Sequence, residues 1–265
     1  AGDRMRKLAD YLLPLLLAAA LLGLWEWVVA VRQVPPYVLP APSAILAALC
    51  ANWSSLAAAM ATTLLITLKG FLGALVAAGL LAILFSQSRL AEKALYPYAV
   101  ILQVTPVVAI APLILIWVGF ERIDLALALI AGMIAFFPIL SNAVQGLKSA
   151  DFNLLDLTRL YGANRWQTLW RVQMPSALPA LLTGMKIGGV IALIGEVTAE
   201  FAAGSGTASG LAWRIVEAGN RLEIANLFAA LALLGLTGVA LFAGLSLLEW
   251  LLLRRWHESA IGREF

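Results

Sequence analysis

Six apolar windows, at about 11–31, 60–85, 94–117, 123–146, 178–203 and 225–252, dominate this chain of 265 residues. Each is long enough to cross a hydrocarbon core of about 30 Å as a helix. Helices are required, because in lipid every backbone polar group must be satisfied within the segment or a closed barrel. Composition agrees: 62% of the residues are hydrophobic and only 12% are charged, against about 25% charged in a soluble domain. One aqueous core could not hide so much apolar surface. The chain is therefore expected to be an all-α integral membrane protein with six transmembrane helices, organised as a single domain over residues 1–265.

Basic residues set the expected direction. With the N-terminus in the cytoplasm, the inner segments hold Arg4, Arg6, Lys7, Arg89, Lys93, Lys148, Arg159, Arg165, Arg171, Arg254, Arg255 and Arg263. The outer segments hold Arg32, Arg122, Arg214 and Arg221. Twelve against four is a positive-inside bias. It puts both termini, and the loop from about 147 to 177, on the cytoplasmic side of a multi-pass inner-membrane protein. The first window follows a basic stretch as a signal peptide would, but it is about 20 residues long and ends at Trp25, Glu26 and Trp27 with no small-residue cleavage site. It is expected to be a retained span.

Several function classes lose their footing here. A net charge of +3 gives no reason to expect nucleic acid as a partner. The chain has one cysteine, Cys50, and one histidine, His257, so neither a disulfide framework nor a Cys/His metal site is available. Cys50 is expected to be a small buried hydrophobe, and His257 a solvated or headgroup-level residue. Outside, Leu39-Pro40-Ala41-Pro42-Ser43 leads into a short surface helix running to about Leu56, with Ser43 as its cap. Gly204-Ser205-Gly206-Thr207 is no phosphate loop, since no Gly-Lys-Ser/Thr ending and no strand accompany it. A flexible outer turn is expected there. The windows also lack the paired broken helices of an inverted-repeat secondary transporter.

Helix association in lipid depends on small residues at the contact. Gly70, Ala74 and Ala78 form one such stripe. Gly184, Gly188 and Ala192 form another, which continues to Glu196 and Glu200. Both are expected at the centre of the bundle. The third window carries Pro97, Pro106 and Pro112, with Gln103 and Thr105 between them. Proline removes helix hydrogen bonds and kinks the axis, which suits a translocation path and a static bend equally. Gln103, Thr105, Pro106, Asn142 and Glu196 are the candidate path residues. Lys69, Lys186 and Glu196 are the ionisable groups deepest in the windows, and such groups usually face a bundle interior or a wet cavity. For both lysines a structural role is expected, as a Lys–Glu pair or by snorkelling.

The loop between the fourth and fifth windows is short, polar and basic. A first helix is expected from about Asp151 to Tyr161, with Leu154, Leu157 and Tyr161 on one face. Gly162 can take the left-handed position after it. Asn164 and Gln167 have capping-box spacing. They open a second helix carrying Trp166, Leu169 and Trp170 on one face, flanked by Arg165 and Arg171 and stopped by Pro175. The residues alone fit an amphipathic helix on anionic lipid and a helix inserted into a partner's groove equally well.

The same stretch resembles the EAA motif of ABC importer permeases, which reads Glu-Ala-Ala, three residues, Gly, nine residues, Ile-x-Leu-Pro. Here those positions are Asp156-Leu157-Thr158, Gly162, Val172, Met174 and Pro175, with the spacing kept throughout. The two alanines are replaced by Leu157 and Thr158, which implies altered docking at those points. The resemblance extends to Thr105-Pro106-Val107-Val108-Ala109, Pro112 to Trp117, Phe136-Phe137-Pro138-Ile139 and Ala199-Glu200-Phe201. These segments are similar to the branch serving nitrate, sulfonate, taurine, riboflavin and pyrimidine precursors.

The resemblance implies a type I ABC importer permease with the MetI-like fold, a non-catalytic subunit that binds no cofactor itself. ATP and magnesium would belong to two partner ATPase subunits. A second permease subunit, taken to be identical, would complete the pore, and an extracytoplasmic solute-binding protein would deliver the solute. The coupling loop would be carried by Asp156, Leu157, Thr158, Arg159, Gly162, Arg165, Trp166, Leu169, Trp170, Val172, Met174 and Pro175. Riboflavin or a pyrimidine (thiamine) precursor is the favoured solute, with sulfonate, nitrate or taurine as the alternative. An ion-coupled secondary transporter using Glu196 or Glu200 is the competing class.

Overall fold

The computed structural model describes residues 2–204 and 209–254. Helices occupy the apolar windows and overrun them into the flanking polar sequence. The long ones are α1 (Gly2–Arg32), α3 (Trp53–Gln87), α6 (Ile123–Lys148), α9 (Met174–Ala203) and α11 (Ile224–Leu253). Between them lie α2 (Pro42–Ala51), α4 (Arg89–Val104), α5 (Val107–Val118), α7 (Phe152–Leu160), α8 (Arg165–Thr168) and α10 (Leu211–Asn220). Five segments are apolar and long enough to cross a membrane, and the pair α4–α5 makes a sixth if it counts as one broken span. Among the described residues there are no strands. The Gly204–Thr207 turn extends outside the described residues, as does His257.

The third window is broken rather than kinked. Its two helices meet at a bend of 106°. Thr105 precedes Pro106 and lies in extended backbone, φ −64° and ψ 127°, because proline's ring disfavours helical geometry in the residue before it. The Thr105 hydroxyl donates to the Ile101 carbonyl at 2.7 Å and helps close the end of α4. Pro97 and Pro112 are absorbed inside their helices.

The small-residue stripes do what close packing in lipid demands, but they meet on a helix the sequence did not single out. Both α3 and α9 pack on α6, whose buried positions include Ala126, Ile130, Ala131, Ala135, Ile139 and Leu140. A Cβ on Gly70 would run into the Ala128 carbonyl oxygen and lie 2.9 Å from the Ala131 Cβ. Gly184 faces Asn142 in the same way, at 2.7 Å, and Gly188 faces Ile139, at 2.6 Å. The expected centre of α3 and α9 is therefore a three-helix centre with α6 in the middle.

Three local expectations are corrected. Ser43 is not the cap of α2: Ala41 holds that position and Pro42 opens the helix, where its missing N–H costs nothing. The Ser43 amide and hydroxyl instead donate to Glu26 at 3.0 and 2.7 Å, tying α1 to α2. That helix ends at Ala51 and not near Leu56, because α3 starts at Trp53. Cys50 is exposed on α2 rather than buried.

Lys186 forms an ion pair with Glu249 of α11, both largely withdrawn from solvent. This is the structural role expected of it, with a partner 63 residues away. Replacing Lys186 by Met should leave Glu249 unpaired and cost up to about 3 kcal/mol, while the double change Lys186→Met, Glu249→Leu should recover most of it. Thermal unfolding of the three variants in detergent checks this; no recovery in the double variant would deny the pair its role.

Candidate functional site

Local hydrogen bonds lock the 149–173 loop into two short helices with a fixed corner. The Asp151 carboxylate accepts from the Asn153 amide at 2.8 Å and caps α7. At its far end Gly162 is left-handed, φ 69°. The Gly162 amide donates to Arg159 O and the Ala163 amide to Thr158 O, both at 3.0 Å, the paired bonds of a Schellman motif. Two residues later the capping box is complete. Asn164 Oδ1 accepts from the Gln167 amide, and Gln167 Oε1 accepts from the Asn164 amide, each at 2.8 Å. Across the corner the Thr168 hydroxyl approaches the Thr158 hydroxyl at 3.4 Å. Thr158, one of the two departures from the motif's alanines, thus belongs to the inside of the corner.

What this corner presents is apolar. Leu160 is 85% exposed, Tyr161 83%, Trp166 58% and Trp170 59%. Leu157 is exposed beside them. Asp156 and Arg159 form an exposed ion pair at 2.8 Å, and Arg165 is exposed. Leu169 departs from the expected face. It is fully buried and packs into the core with Phe85, Leu147 and Ala177. An α-helix turns about 100° per residue, so Leu169 stands at the bundle side while Trp170 points away.

Pro175 also departs from expectation. It does not stop the second helix. It sits in the first turn of α9, and a π turn over Leu169–Gln173 joins α8 to α9. The result is one apolar helix of 39 residues, Arg165–Ala203, about 58 Å long at 1.5 Å per residue. Met174 packs against the core and Val172 is half-buried. The last third of the motif therefore roots the loop in the bundle.

Toward the far end of that helix, Glu200 holds a second corner. Its carboxylate accepts from the Gly210 amide at 2.6 Å and the Ala212 amide at 3.0 Å, and Thr63 Oγ1 accepts from the Leu211 amide at 2.9 Å. The first turn of α10 is thereby fixed to α9 and α3. One turn inward, Glu196 and Thr67 are fully buried, and their side-chain oxygens have no hydrogen-bond partner among the described residues.

A cavity of about 800 Å³ opens along α3 and α6. Gly70, Gly73 and Gly132 floor it, Met133 and Phe136 give it an apolar wall, and Lys69 reaches its side. Glu121, Arg122 and Asp124 stand at the α6 N-terminal end. Among the described residues no carboxylate pairs with Lys69, so it lacks the ion pair that Lys186 makes. None of the candidate path residues borders this cavity. Asn142 donates to Pro138 O at 2.8 Å within α6 and faces Gly184. Glu196 is enclosed by helix packing. Thr105 and Pro106 form the α4–α5 break, and Gln103 is exposed beside Leu102, which does line the cavity. The cavity was missed because its floor is built from Gly70, Gly73, Ala74 and Gly132, which look like packing stripes in sequence.

Residues 70–257 match the family described as binding-protein-dependent transport system inner membrane component. A riboflavin transport system permease protein of Chloroflexus aurantiacus is 36% identical over 244 residues, covering 90% of this chain and 88% of that protein. A formylaminopyrimidine transport permease protein of Halalkalibacterium halodurans is 30% identical over 257 residues, covering 96% and 100%. A putative aliphatic sulfonates transport permease protein of Bacillus subtilis is 30% identical over 261 residues, covering 97% and 92%.

Proposed function

The chain belongs to the inner-membrane components of binding-protein-dependent transport systems, the permeases of ABC importers, and from that premise we propose that its 149–173 loop is the coupling element to a separate ATPase. The observation that carries this is the exposed apolar set Leu157, Leu160, Tyr161, Trp166 and Trp170, held on a corner fixed by a Schellman motif and a capping box. Exposed aromatic and aliphatic anchors on a rigid helix are what a groove on a partner takes up. In this reading the loop and both termini are cytoplasmic. Two ATPase subunits carry ATP and magnesium, two identical permease chains form the path, and an external binding protein supplies the solute.

The mechanism follows from the unbroken helix. A push on Trp166 and Trp170 acts on one end of the Arg165–Ala203 segment, whose other end carries Glu200 and the corner of α10. Motor closure would tilt that lever against α6 and exchange inward- for outward-facing arrangements. The solute would occupy the Lys69 cavity, whose apolar wall and flat glycine floor suit a heterocycle. Riboflavin or a pyrimidine precursor is the solute proposed, supported by the riboflavin and formylaminopyrimidine permeases among its relatives. A sulfonate, nitrate or taurine solute is the second reading, and the Lys69 ammonium beside the cavity, with no carboxylate partner among the described residues, favours it.

The test is co-purification with the neighbouring ATPase, followed by hydrolysis assays in lipid discs with the binding protein loaded in turn with riboflavin, a formylaminopyrimidine and an alkyl sulfonate. A stable complex stimulated by one loaded form is the expected result, and it names the solute. Absence of an ATPase, with uptake following an ion gradient, would end the coupling proposal.

A further inference from the structure

Where α3 turns into α4, a cleft separates the bundle from the loop, and its two halves differ in character. One half, about 730 Å³, is walled largely by Phe85, Tyr96, Phe152 and Leu155, with Glu92, Lys93 and Lys148 also on its lining. The other, about 680 Å³, is polar and takes its charge from Arg89, Arg159 and Arg165. The halves are continuous, sharing Arg89, Leu155 and Arg159. Carboxylates do not balance the site. Glu92 is engaged by Lys148 and Asp156 by Arg159, while Arg89 and Arg165 have no carboxylate partner among the described residues. The place matters too, because Arg89 stands at the point where the apolar run of α3 ends. In a bilayer the end of such an apolar run is expected near the lipid headgroups.

We propose that this cleft binds an anionic phospholipid, its phosphate among Arg89, Arg159 and Arg165 and an acyl chain along Tyr96, Phe152 and Leu155. The shared chemistry with any phosphate is the arginine cluster, since guanidinium forks match phosphate oxygens. The apolar half selects the lipid, and basic pockets at the ends of membrane helices are where such headgroups settle. A lipid seated there bridges the α3–α4 turn to α7 and α8, so it would steady the loop against the bundle. This assignment needs the bilayer but not the coupling role of the loop, and it stands if that role fails.

Native mass spectrometry of the detergent-purified chain, titrated with phosphatidylglycerol and with phosphatidylethanolamine, tests it. Selective retention of phosphatidylglycerol is expected. Arg89→Gln and Arg165→Gln should each weaken it about fivefold, and the pair about 25-fold, from the attraction of one basic residue to an anionic headgroup. Arg171→Gln, on the same loop but outside the cleft, should leave retention unchanged. Equal retention of both lipids, or an unaffected double variant, would overturn the proposal. So would displacement from the wild-type chain by glycerol 1-phosphate, which would mark a free-anion site, or by the ATPase, which would assign the cleft to that subunit.

Discussion

Replacing Gly162 with proline should abolish solute-stimulated ATP hydrolysis in the assembled transporter while leaving the chain inserted and folded. Proline holds φ near −65°, whereas Gly162 sits at φ 69°, so no adjustment of the ring accommodates it. Proline also lacks the amide that donates to Arg159 O, and the neighbouring bond from Ala163 to Thr158 O depends on the same corner. Without the corner, Leu160 and Tyr161 on one helix lose their fixed relation to Trp166 and Trp170 on the next. The strain should stay local to this exposed corner and leave the helix bundle intact, because Gly162 packs on no other element and nothing lies within 4 Å of a Cβ at this position. That open space makes Gly162→Ala a graded control. It meets only the left-handed penalty of about 1–2 kcal/mol, so coupling should fall partly and not vanish. Hydrolysis in lipid discs, with and without loaded binding protein, reads both variants, and thermal unfolding confirms the fold. Full stimulation in the proline variant would take the loop out of the coupling path.

Much of this was legible in the sequence because it depends on local chemistry. The windows, the left-handed Gly162 and the Asn164–Gln167 box are all set by residues within a few positions of each other. The departures came where distant elements decide. Pro175 resembles a helix stop, but the π turn over Leu169–Gln173 just before it carries the chain on as helix. Leu169 shares a sequence face with Trp166 and Trp170, yet the bundle lies on its side of the helix and buries it. Three prolines punctuate the third window alike, and only Pro106 breaks it. The partner of Lys186 is on α11, beyond any spacing rule. Two independently read stripes, on α3 and α9, were recognised as contacts, but the helix between them was not, because α6 meets them with backbone and alanine more than with a motif.

That last point carries the second large prediction. Gly70→Val should leave no folded, monodisperse protein, and Gly70→Ala should already cost about 1–3 kcal/mol, the usual toll of overpacking. The added carbon would meet the backbone of α6: the Ala128 carbonyl oxygen, and the Gly132 amide nitrogen at 3.0 Å. Backbone cannot rotate aside as a side chain can. Gly132 reciprocates, with a Cβ there 2.9 Å from Gly70 O, so neither helix can retreat without opening the α3–α6 contact along its length. Lipid offers no hydrophobic gain to offset the loss, since tails are as apolar as the helix faces. Gly79, nine residues further along the same helix, supplies the contrast, with nothing within 4 Å of its Cβ. Gly79→Ala should be neutral, or stabilising by up to about 1 kcal/mol through helix propensity. Size-exclusion profiles and unfolding temperatures of the three variants decide it. A well-folded Gly70→Val chain would mean that α3 and α6 do not approach this closely, and the cavity they floor beside Lys69 would have to be drawn again.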